Sequence, residues 1–353
     1  MEAQDKALLE ALLQARGPGG QEDEVRALCQ AELERVCDEV WVDPAGNLVG
    51  ALRCGRENPG PAVLVLAHLD EIAMIVKRVE DDGSLRVVAL GGAHPVNFGT
   101  CPVDILGSSG EIQGVLSFGT MHTSGSSRQG RDVLSGNVQW EDVHVTTRRS
   151  PDELLKLGIR PGTRVVLGRP YRTPTYLPDA VAAHFLDDRA PLLAMLIAAR
   201  RVAVGREQLK HDVYFVCTTM EEESNSGALY AARNLQCVRA IALEVGPIAS
   251  EYATRLSADP IVNTGDSKGY YTRQVAEELL EAAQLEGYSP QAALFVEFAS
   301  DASALLSTGL TPQAGCLSIP TENTHGVEIV LLEGIGACAK TLARYLLKDT
   351  TPR

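Results

Sequence analysis

Three short runs of uninterrupted apolar residues constrain this chain more than any other feature. Residues 62–67 (AVLVLA), 213–217 (VYFVC) and 241–243 (IAL) lack the alternation of a half-exposed strand, so each predicts a strand covered on both faces. A sheet covered on both faces needs helices on both sides. Helical patterns lie over 191–202 and 226–235, and two more, over 272–283 and 334–347, flank a strand around 316–319. Two helices open the chain, over 6–14 and 22–36, parted by Gly17-Pro18-Gly19-Gly20, and short strands follow around Val40 and Leu48. This alternation predicts an α/β/α sandwich with a mixed central sheet.

From about 81 to 169 the pattern changes to glycines and short β-branched stretches, with one helical segment over 151–157. That change predicts a discontinuous main domain, 1–75 with 171–353, and a small inserted barrel-like β domain over 76–170. The polar stretch 122–131 (HTSGSSRQGR) reads as a loop.

With 353 residues, 45% of them hydrophobic, the chain can fill two cores. Its formal charge of −14 disfavours nucleic acid and anionic membrane as partners, because phosphates call for Lys and Arg on a common face. No apolar stretch reaches the roughly 18 residues of a membrane helix. The start, MEAQDKALLEALLQ, is amphipathic without a signal-peptide core, so the expected location is cytoplasmic. Eight cysteines without a C-x-x-C pair read as reduced, mostly buried thiols.

The chemistry gathers where the buried strands end. His68 follows the first run, and Asp70, two residues on, is placed to accept an imidazole N–H and fix its tautomer. Asp187 opens a predicted helix, where it can either cap the helix or bridge two cations; local sequence leaves both open. Glu221-Glu222-Glu223 follow the second run. Three adjacent glutamates repel one another, which suits either a solvated loop or a ligand beside a general base. Glu244 ends the third run, and His325 follows Ile319-Pro320-Thr321. Taken together, His68, Asp187, one of the three glutamates, Glu244 and His325 offer five donors near element ends, which suits a site for two divalent metals, the equipment of a hydrolase that activates water. Zinc, cobalt and manganese all suit such a set.

The segments AHLDEIAMIV, FLDDRA, TTMEEESNSGA, ALEVGP and SIPTENTH, in this order, together with GGAHPVNFG and DELLKLGIRPGTRVV, extend over nearly the whole chain. In them the chain resembles the tetrahedral aminopeptidases and their FrvX-like and glutamyl aminopeptidase relatives, some of which carry the name endoglucanase. The resemblance implies that His68 binds one metal and His325 the other, with Asp187 bridging. Glu222 would complete the site of His325 and Glu244 that of His68. Glu221 would be the base, Asp70 would orient His68, and Asp301 would lie near the substrate. It also implies a cis Asp187–Asp188 peptide and a dodecamer, or at least a dimer, with the insert shaping contacts and access.

The chain departs from the family pattern at Glu244, where Asp is commoner, at Glu223-Ser224-Asn225-Ser226, which is more polar, and at Glu297-Phe298-Ala299-Ser300 before Asp301. The reading that follows is an aminopeptidase acting on short peptides. Two others compete: an amidohydrolase that removes acyl groups from amino acids or small conjugates, and a catalytically silent scaffold or binding protein. An endoglucanase is disfavoured because no acid and nucleophile pair is marked.

Overall fold

The structure is a computed structural model that describes residues 1–57, 60–120, 122, 124 and 135–347. Apart from His122 and Ser124, the loop expected over 122–131 lies outside the described residues. The chain divides into two compact units, Met1–Asp70 with Pro174–Arg353, and Glu71–Thr173.

In the first unit two helices, Ala3–Gln14 and Asp23–Leu33, precede β1 (Glu39–Val42), β2 (Leu48–Leu52) and β3 (Gly60–His68). The second unit carries β4 (Ala73–Val79), β5 (Leu85–Leu90), β6 (Cys101–Gly107), β7 (Gly110–Ser117), β8 (His144–Thr146) and β9 (Arg164–Leu167). These close into an antiparallel barrel in the order β4-β5-β8-β7-β6-β9. Val103, Ile105, Leu116, Val145 and Val165 are buried in this unit. Gly83, at φ +78°, turns β4 into β5; a Cβ there would meet the Arg149 carbonyl oxygen at 1.7 Å, so only glycine fits. The helix Pro151–Lys156 starts on a reciprocal cap, Ser150 with Glu153. Where the chain enters and leaves the unit, the buried Arg172 guanidinium forks onto the buried Glu71 carboxylate. Removing one partner of such a pair costs about 3–5 kcal/mol.

The first unit resumes with β10 (Thr175–Tyr176), β11 (Ala180–Ala183), β12 (His211–Thr218), β13 (Cys237–Pro247), β14 (Ile261–Asp266), β15 (Gly269–Tyr270), β16 (Gln291–Leu294), β17 (Gln313–Glu322) and β18 (Glu328–Leu331). Among the described residues, twelve strands join in one sheet of order β1-β2-β12-β3-β13-β17-β18-β11-β10, with β14 paired to β17 and carrying β15 and β16. The four central strands, β12, β3, β13 and β17, run parallel, and β2 and β18 pair antiparallel with their outer members β12 and β17. The sheet is therefore mixed.

Alternation along β3 shows why the apolar run is unbroken. Val63, Val65 and Ala67 pack in the core formed with helices Leu186–Val204 and Leu332–Leu347. Leu64 and Leu66 pack in the core formed with helices Ser226–Leu235 and Asp301–Ser307. Each buried Val or Leu contributes about 1.5–3 kcal/mol, so both faces must stay apolar.

Candidate active site

Parallel pairing sets Thr218 opposite His68 and Glu244 opposite Ser318, which brings the carboxyl ends of the central strands to one edge. Open α/β sheets bind ligands there. His68 is the last residue of β3, Glu221 and Glu222 follow β12, Glu244 lies near the end of β13, and His325 follows β17.

Two donor groups form at this edge. His68, Asp187, Asp188 and Glu244 offer ligand atoms within 4.8 Å of one another, and so do Asp187, Glu222 and His325. Asp187 belongs to both. Its Oδ1 lies 3.0 Å from His68 Nε2, and its Oδ2 lies 3.7 Å from His325 Nε2, which is also 3.7 Å from Glu222 Oε2. The Asp187–Asp188 peptide is cis, and Phe185, not Asp187, occupies the position before the helix Leu186–Val204. Within that segment the backbone is non-helical at Asp187 and Asp188, and the two Asp187 carboxylate oxygens face the two imidazoles.

Burial dominates the electrostatics. It pushes the carboxyls of Glu222, Glu244 and Asp188 well above the ordinary range, and the neighbouring acids add to the effect. Burial would raise Asp187 too, but the hydrogen bond and charge of His68 and the charge of His325 hold it below the usual value. Asp188 Oδ2 accepts the His68 backbone N–H at 2.8 Å, while its buried Oδ1 has no hydrogen-bond partner among the described residues. Four crowded carboxylates, two imidazoles and an orphaned carboxylate oxygen form a donor set that fits divalent cations.

The remaining residues hold this set in place. Asp70 meets the His68 imidazole through two atoms: Nδ1 lies 3.1 Å from the Asp70 carbonyl oxygen and 3.5 Å from its carboxylate Oδ1. The Asp70 carboxylate also accepts the Glu221 and Glu222 backbone N–H groups, both at 3.0 Å. It therefore fixes the glutamate pair relative to β3. Beneath it, buried Arg189 donates to the carbonyls of Leu12, Leu69 and Asp70.

Asp301 is 1% exposed, its Oδ2 accepts from Thr218 Oγ1 at 2.5 Å, and its Oδ1 accepts from Asn225 Nδ2 at 3.1 Å. Both oxygens are thus engaged inside the protein, between the end of β12 and the loop that carries Asn225. Burial nevertheless raises its pKa to about 6.

Glu328, like Asp188, is a residue at this edge that the sequence reading missed. Its two oxygens accept the backbone N–H groups of Asp187 and His325, each at 2.9 Å, and it is buried at the head of β18. Burial, with the Asp187 charge, raises it to about 8. The available signal was a glutamate three residues after His325 that opens the apolar run 329–331. Glu328→Ala is expected to strand two donors, each costing about 1–3 kcal/mol. Thermal stability and metal affinity should both fall, with a smaller loss for Glu328→Gln, which keeps one acceptor. Thermal unfolding and metal titration of both variants check this, and an unchanged affinity in Glu328→Ala would reject the role.

Comparison with known proteins follows the same lines. A family model described as M42 glutamyl aminopeptidase matches residues 46–341. The chain is 28% identical to a lysyl aminopeptidase of Pyrococcus furiosus, covering 99% of this chain and 98% of that one. Among solved structures it is similar to an aminopeptidase of Desulfurococcus kamchatkensis, with 26% identity, a TM-score of 0.86, and coverage of 97% of this chain and 94% of that chain. It also shares its fold with the TET1 peptidase of Pyrococcus horikoshii, which can assemble into a tetrahedron or a large octahedral shell. That match has 23% identity, a TM-score of 0.83, and coverage of 97% and 99%.

Proposed function

The chain belongs to the M42 glutamyl aminopeptidase family and is an aminopeptidase, and we propose that it acts with two divalent metal ions held in overlapping sites. His68, Asp187 and Glu244 would hold one, and Asp187, Glu222 and His325 the other. The observation that carries this reading is the shared position of Asp187 in both donor groups. Zinc, cobalt and manganese are the candidate ions, since imidazole and carboxylate suit each.

When bound, such ions polarise the scissile carbonyl and acidify the attacking water. Glu221 takes the proton from that water and returns it to the leaving amine. Asp70 keeps Glu221 and Glu222 in register through their backbone N–H groups. The substrates are short peptides, whose free amino terminus is a cation suited to an acidic site. The proposal includes self-association, to a dodecamer or a dimer, with the barrel unit shaping contacts and access; the TET1 peptidase, whose fold the chain shares, can assemble into a tetrahedron or a large octahedral shell. Among the described residues no helix is long and apolar enough to cross a membrane, and we place the activity in the cytoplasm.

Aminoacyl chromogens, short peptides and N-acyl amino acids, each tried with zinc, cobalt and manganese, test this assignment. Free-amine substrates should be cleaved, with activity lost to a chelator and restored by metal. Cleavage of N-acyl amino acids alone would replace the aminopeptidase reading with the amidohydrolase one.

A further inference from the structure

From the residues around Glu221 we infer that Asn225 is a positioning residue for catalysis, holding the Glu221 carboxylate in its working orientation, with Lys268 fixing the amide in turn. The inference rests on the assignment of Glu221 as the base and deepens it.

Asn225 lies between the short helix Glu221–Ser224 and the helix Ser226–Leu235. It is 3% exposed and adopts φ 54°, in the left-handed region that Asn tolerates better than most residues. Its amide is fully used. One N–H of Nδ2 donates to Glu221 Oε1 at 2.8 Å and the other to Asp301 Oδ1 at 3.1 Å. Its Oδ1 accepts from the Lys268 ammonium.

These partners leave no freedom in the amide's orientation. An ammonium can only donate and an ionised carboxylate can only accept, so a flipped amide would face Lys268 with its NH2 and two carboxylates with its oxygen. Asp301 is anchored in turn by Thr218 at the end of β12. Thr218, Asp301, Asn225 and Glu221 therefore form a chain of hydrogen bonds running from the sheet to the base.

Asn225 touches neither substrate nor reacting atoms in this scheme. Its effect reaches the reaction only through Glu221, which allows a selective test. Asn225→Gly keeps the left-handed backbone accessible and deletes the amide; Asn225→Asp keeps the shape and removes both donors. Lys268 is exposed on the β14–β15 turn, so Lys268→Met perturbs the chain without threatening the fold.

Steady-state kinetics should show kcat lowered about tenfold or more in Asn225→Gly and Asn225→Asp, part of the 10²–10⁴-fold that a positioned base contributes. KM and metal stoichiometry should stay unchanged. Lys268→Met should lower kcat two- to threefold. The deciding comparison is a double-mutant cycle. In a Glu221→Gln background, Asn225→Gly should produce no further loss, because the group it positions can no longer act. The same loss in both backgrounds would overturn the inference, as would a wild-type kcat in all three single variants. A Glu221→Gln enzyme with wild-type turnover would instead refute the base assignment beneath it. The thermal midpoint of the metal-free variants, expected within a few degrees of the parent, separates loss of fold from loss of positioning.

Discussion

Glu221→Gln is expected to lower kcat by on the order of 10²-fold or more while metal content and KM stay near those of the parent. The amide keeps the size of the carboxyl but cannot take a proton. Glu221 belongs to neither donor group; it is held by its backbone N–H to Asp70 and by Asn225 at Oε1, and these contacts do not depend on a metal. Its neighbour behaves differently: Glu222→Ala and His325→Ala each remove a donor from the second group and should reduce metal occupancy. Metal stoichiometry measured beside turnover decides the roles. If Glu221→Gln loses metal while Glu222→Ala retains it, the two glutamates exchange assignments.

Asp187→Ala should have the broader effect, abolishing activity and emptying both sites. The residue supplies Oδ1 to the side of His68 and Oδ2 to the side of His325, so its removal takes one donor from each group at once. The fold should survive, because the buried contacts at this point are made by neighbours: Asp188 accepts the His68 N–H, and Glu328 accepts the backbone N–H of residue 187, which the substitution leaves in place. Circular dichroism should therefore match the parent while turnover is undetectable. Retention of both metals by Asp187→Ala would remove it from the shared position.

Where the sequence revealed the fold and the site, the reason was local. The run at 62–67 fixed β3 because both of its faces are covered, and the pattern over 226–235 matches the helix Ser226–Leu235. β13 was read too short. It spans Cys237–Pro247 and includes Arg239 and Glu244, polar residues that interrupt an apolar pattern. Arg239 is tolerated in the core because Gln313, Glu278 and the Tyr345 hydroxyl accept from it, partners that lie far along the chain. Glu328 was missed for a related reason: beside its bond to nearby His325 it accepts from Asp187, far away in sequence, and a single glutamate carries no local mark of such a bond. The proposed donors His68, Glu222 and Glu244, by contrast, stand at or just past the ends of buried strands that read as apolar runs.

The most direct test of the two-ion site is metal titration of the metal-free wild-type protein with zinc, cobalt or manganese, followed by calorimetry and by turnover on an aminoacyl chromogen. Two ions per chain should bind, with activity complete only when both sites are filled, and Asp187→Ala should show neither binding event. Full activity at one ion per chain, or none, would contradict a catalytic centre built on a shared Asp187.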